Sequence, residues 1–99
     1  MPVYLVRKEP YGADIVKRLM RETIASGSVM FSPHANRELA VDGLTLEDAL
    51  NTIKGGAVQP GEWENGSWRY QVRTRRLCVV VAFAPGRLVV VTAWREKPK

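Results

Sequence analysis

The stretch WRYQVRTRRLCVVVAFAPGRLVVVTAWRE, residues 68–96, decides the fold. Trp68, Tyr70 and Val72 alternate with Arg69, Gln71 and Arg73, the period of two of a strand with one face on a core. Leu77–Phe83 is apolar on both faces, which predicts a strand in the middle of a sheet. Leu88–Trp94 is a third strand, reached through Ala84-Pro85-Gly86-Arg87. Pro followed by Gly in the middle of such a turn fits type II, where the third position needs a positive φ. The connections are too short for crossovers, so these strands are expected to be antiparallel neighbours.

Moving toward the N-terminus, Ala57–Gln59 fits a short pairing strand, and PGEWENGS (60–67) reads as a turn. Before it the apolar period lengthens to about 3.6. Ile15, Val16, Leu19, Met20 and Ile24 place a helix over 12–26, with Gly27 as its stop. Ser32 is a good N-cap and Pro33 suits the first helical position, so a short helix starts there and ends near Asp42-Gly43. Phe31, Ala35 and Leu39 share its apolar stripe. Thr45 caps a third helix, with Asp48 completing a capping box. Leu46, Ala49, Leu50 and Ile53 form its buried face, and Gly55-Gly56 ends it. The opening VYLV (3–6) fits either a short strand or an ordered tail. The expected architecture is one α+β domain over 1–99, with N-terminal helices packed on one face of a three- to four-stranded antiparallel sheet.

The chain has 99 residues, of which 45% are apolar and 25% charged, as in an ordinary globular domain. No apolar run approaches a membrane span, and the N-terminus lacks the pattern of a secretory signal. A cytoplasmic protein without membrane contact is expected. The single cysteine, Cys78, lies in an apolar run and reads as a buried, inert thiol. One Cys and one His make no ordinary zinc cluster, and no cofactor motif is present. The net charge is +5, and residues 57–99 hold eight basic and three acidic side chains. Such a surface suits RNA, DNA or an acidic protein partner, or is simply a solvated basic face.

The chemistry centres on FSPHANRE, residues 31–38, which holds the only histidine. With Ser32 as cap, His34 is the second residue of a helix, beside free N–H groups that favour an anion. Arg37 follows one turn later. A neutral imidazole can take a proton from an RNA 2′-hydroxyl, and a guanidinium can stabilise charge on phosphate oxygens, each worth roughly 10²- to 10³-fold in rate. The plainer alternative is a surface histidine paired with Glu38. Arg69, Arg73, Arg75, Arg76 and Arg87 add positive charge, and Trp63, Trp68, Tyr70 and Trp94 are aromatics able to stack on bases. Tyr70 can equally be a core residue of its alternating strand.

FSPHANREL, a Gly turn, LTLEDALNTIKGG, WRYQVR, VVVAF and LVVVTAWRE, taken in order over about residues 12–96, resemble the domain of unknown function 4258 family. That family is similar to the RelE, barnase and colicin-type small ribonucleases, among them the toxins of bacterial toxin–antitoxin pairs. The resemblance implies a RelE/barnase-like sheet behind the helices, with RNA held against the sheet. It also implies cleavage without metal or cofactor, leaving a 2′,3′-cyclic phosphate and a 5′-hydroxyl. By the same resemblance His34 is the general base or acid, Arg37 and Arg69 hold the phosphate, and Thr92 orients the substrate. Arg73, Tyr70 and Trp94 are the further substrate-binding candidates. The implied partners are RNA, free or on the ribosome, and a cognate antitoxin. A non-catalytic RNA- or DNA-binding module and a protein-interaction domain are the alternatives.

Overall fold

The computed structural model describes residues 9–96; the VYLV segment lies outside them. The chain runs α1 (Ala13–Ala25), β1 (Val29–Phe31), α2 (Pro33–Val41), α3 (Leu46–Gly55), β2 (Ala57–Val58), β3 (Glu62–Glu64), β4 (Ser67–Arg73), β5 (Leu77–Ala84) and β6 (Arg87–Arg95). It is an α+β fold of three helices and a six-stranded mixed sheet in the order β1-β6-β5-β4-β2, with β3 also paired to β4.

The helix boundaries follow from local chemistry. The Ser32 hydroxyl accepts from the Ala35 N–H, and Thr45 and Asp48 form the reciprocal capping box. α1 and α2 both end in Schellman motifs. Ser28 N–H donates to Thr23 O and Gly27 N–H to Ile24 O; Leu44 N–H donates to Leu39 O and Gly43 N–H to Ala40 O. Gly27 (φ +77°) and Gly43 (φ +69°) supply the left-handed residue each motif needs.

The strand parity is as the alternation predicts. Tyr70 and Val72 of β4, Val79 and Val81 of β5, and Leu88, Val90 and Ala93 of β6 face the helices. They form the core with Val16, Met20, Ala35, Leu39, Ala49 and Ile53. β5 is the central strand, and Leu77–Val81 are all buried. The opposite face carries Arg69, Gln71 and Arg73 on β4, Cys78 and Val80 on β5, and Thr92 and Trp94 on β6.

The expected sheet of three or four antiparallel strands is corrected in two places. β1 pairs with β6 in parallel, Val29 opposite Leu88 and Phe31 opposite Val90. Three residues are too few to show a period, and their partner lies at the far end of the chain. The segment read wholly as a turn holds β3, which pairs Glu62 with Arg69 and Glu64 with Ser67. Only Asn65 (φ +48°) and Gly66 (φ +81°) form the tight connection, with the two positive φ angles of a type I′ hairpin.

Candidate functional site

The helix that carries His34 and Arg37 is fastened to the sheet at both ends. β6 contains a bulge: Val80 pairs with Thr92 and Val81 with Val90, so Val91 has no partner on β5. The Ser32 hydroxyl donates to Val91 O (2.7 Å), and the Ser32 N–H donates to Val90 O (3.0 Å). At the other end the Arg95 N–H donates to the Asp42 carboxylate (2.9 Å), and the Arg95 guanidinium donates to the Asp42 carbonyl (3.0 Å). Nine helical residues rise about 13 Å, and four strand residues rise about the same. α2 therefore runs beside β6 where the short β1 has ended. Ala35 and Leu39 are buried against the core, while His34 and Arg37 are exposed. Among the described residues, neither side chain has a hydrogen bond or ion pair, and His34 is not paired with Glu38.

Thr92 and Trp94 lie on the β6 segment that α2 accompanies, both half-buried. The bulge brings the start of α2 to the residue before Thr92, so α2 runs beside the β6 segment of Thr92 and Trp94, whose side chains lie on the sheet face away from the helix-covered core. Arg69 and Arg73 do not join His34 and Arg37. They stand on β4, two strand spacings or about 10 Å from β6, with α2 beyond it.

The β4 arginines are also occupied. Arg73 donates from Nη1 to Glu96 (2.6 Å) and from Nε and Nη2 to the Gln71 amide oxygen (3.0 and 2.7 Å). Arg69 donates from Nε to Ser67 Oγ (3.4 Å), with Glu64 4.0 Å from its Nη1. A phosphate at Arg73 would have to displace its partners, whereas Arg69 is held by one long hydrogen bond and a 4.0 Å ion pair.

Tyr70, a candidate for base stacking, is instead a core residue. Its side chain is fully buried, its hydroxyl donates to Glu9 (2.7 Å), and it accepts from the Tyr11 N–H (2.9 Å). Burial holds the phenol well above its usual range, so it remains a neutral donor. Period-two alternation placed Tyr70 with Trp68 and Val72, and that reading of the strand is the one the structure shows. Cys78 is buried and its thiol is pushed up to about 11 by desolvation. It lies between Arg73 and Trp94 in the register.

The sequence reading missed a cleft of about 580 Å³ between α1 and the β5–β6 turn. Tyr11, Glu22, Thr23, Phe83 and Arg87 help to line it, and none of the candidate site residues does. Its walls come from segments far apart in the chain, which no local pattern links. No helix among the described residues is long and apolar enough to cross a membrane. No protein-family model matches the chain, and no curated protein matches it.

Proposed function

We propose that the protein is a metal-independent endoribonuclease, the toxin of an intracellular toxin–antitoxin pair, with a RelE/barnase-like fold and kinship to the domain of unknown function 4258 family. The observation that carries this reading is a helix anchored at both ends to β6 that leaves a histidine and an arginine exposed and unpaired in its first two turns. A fixed base beside a free guanidinium suits transesterification of RNA. His34 takes the proton of a 2′-hydroxyl, and the 2′-oxygen attacks the adjacent phosphorus. The bond from phosphorus to the 5′-oxygen breaks, and that oxygen takes a proton from solvent, to which His34 returns its own. The products are a 2′,3′-cyclic phosphate and a 5′-hydroxyl. Arg37 stabilises the charge on the phosphate oxygens, and Thr92 orients the substrate. The antitoxin is a protein with an acidic or apolar segment that covers this region.

The test is incubation of the purified protein with mixed-sequence RNA in EDTA, beside a folded His34→Ala control, with the fragment ends identified. Cyclic-phosphate ends that vanish in the variant are expected. Cleavage unchanged in the variant would remove His34 from its role. A non-catalytic nucleic-acid-binding module is the second reading. The exposed cations Lys17, Arg21 and Lys54 favour it, since they converge from two helices and none is held in an ion pair among the described residues. In that case binding would be tight and salt-sensitive, with no cleavage.

A further inference from the structure

Where α1 meets α3, a small cleft is lined by Lys17, Arg21 and Ile24 of α1 and by Ile53 and Lys54 of α3. Three cations and two isoleucines line it; Asp14 and Glu22 line a neighbouring groove on α1 that Lys17 and Arg21 share, but not this cleft. Lys17 and Arg21 are four residues apart on one helix face, a spacing at which like charges repel. Lys54, in the last turn of α3, is favoured by the helix dipole; Lys17 and Arg21 are mid-helix and gain nothing from it. None of the three is held in an ion pair among the described residues, whereas Arg69 has Glu64 and Arg73 has Glu96. Three cations that converge on one spot without an ion pair fit an anionic ligand.

We propose that this cleft is a contact site for the phosphate backbone of a single-stranded nucleic acid. Its free volume, about 20 Å³, holds roughly one water. No base or nucleotide fits inside, so the ligand is held from outside by phosphate oxygens and without regard to sequence. An acidic protein is a poorer occupant, because protein interfaces rely on buried apolar anchors. The exposed large apolar side chains are Met30, Val41, Leu46 and Trp63, all on other segments or at the far end of α3. Leu46 is eight helical residues from Lys54, about 12 Å along the axis. The nucleic acid thus runs on the helix layer, where three unpaired cations converge, rather than along Arg73, which Glu96 and Gln71 hold. The proposal rests on the RNA reading above but not on catalysis.

The test uses a fluorescein-labelled, mixed-sequence 2′-O-methyl RNA, which cannot be cleaved through its 2′-oxygen. Anisotropy is followed through a salt titration for three proteins: the wild type, the triple variant Lys17→Gln/Arg21→Gln/Lys54→Gln, and the control Arg75→Gln/Arg76→Gln/Arg87→Gln, which loses the same formal charge. With about 0.7 counterion released per contact, the first triple should lower the log–log salt slope by about 2 and weaken binding on the order of 100-fold near 0.1 M salt. The control should change much less. Equal losses in both triples, or none in the first, overturn the proposal while leaving the RNA reading in place. A wild type that does not bind at low salt overturns the RNA reading and this site with it. If the first triple does not fold, acetylation of wild-type lysines decides. Lys17 and Lys54 should be protected by bound RNA, and labelling unchanged by RNA overturns the proposal.

Discussion

Gly55 and Gly56 are adjacent, yet replacing each by alanine should move stability in opposite directions. Gly55 is the last residue of α3, and a methyl group built there meets nothing within 4 Å. Alanine at a helical position without a steric cost is favoured over glycine by about 0.5–1 kcal/mol. Gly56 is buried at the junction of α3 and β2. A Cβ there would lie 2.7 Å from Thr52 O, 2.9 Å from Arg73 O and 2.9 Å from Val72 Cγ1. Two of those atoms are backbone, one in α3 and one in β4, so relief requires the helix and the sheet to separate. Overpacking of this kind costs about 1–3 kcal/mol, against an entropic gain of about 0.4–1 from stiffening the unfolded chain. The net expectation for Gly56→Ala is a loss of about 1–2 kcal/mol, which puts the two variants roughly 2–3 kcal/mol apart. For a domain this size that gap is on the order of 10 °C or more in Tm. Urea denaturation at matched m-values, with a thermal scan beside it, measures the gap directly. Gly56→Ala as stable as the wild type, or less damaging than Gly55→Ala, would refute the close approach of α3 to β4.

Three other outcomes are expected. Tyr70→Phe should cost about 1–3 kcal/mol in thermal unfolding, because the half-buried Glu9 carboxylate and Tyr11 N–H lose their hydroxyl partner, while RNA affinity in the folded variant stays unchanged. Asp48 is held below its usual 3.8 first by the Thr45 backbone N–H and then by the Thr45 hydroxyl. Its stabilisation is therefore present above the unfolded-state value and lost as pH falls below about 4; Asp48→Asn should flatten the acid limb of a stability–pH profile, and superimposable profiles would contradict the capping box. Cys78 should resist thiol reagents at pH 8 in the native protein and react only as fast as the chain opens, since it is buried and its thiolate is disfavoured. Rapid labelling of the folded protein would show that the covering of β5 by its neighbours' side chains is wrong.

The parts of the candidate site differed in how far sequence could reach them. Ser32-Pro33 is a helix-start signal of local origin, and it put His34 and Arg37 correctly in the first two turns of α2. Alternation along 68–73 correctly put Arg69 and Arg73 on the face away from the helices. It could not show that Glu96 and Gln71 occupy the Arg73 guanidinium, because Glu96 lies 23 positions away and meets it only across the folded sheet. Nor could it separate α2 from β4 by the width of β5 and β6. That distance depends on strand order, which has no local signature.

The sequence by itself determined the elements whose causes are short-range. These are the three helices with their Ser32 and Thr45 caps and glycine stops, the central strand 77–83 and the Pro85-Gly86 turn. Each is decided by side chains and backbone groups within a few residues of one another, so the pattern is complete in a short window. The tertiary structure alone decided the parallel pairing of Val29–Phe31 with Leu88–Val90 and the Val91 bulge that receives the Ser32 hydroxyl. It alone also brought Lys17, Arg21 and Lys54 together around one cleft. Those arrangements join residues far apart in the chain, and only the shared burial of the core brings them within reach.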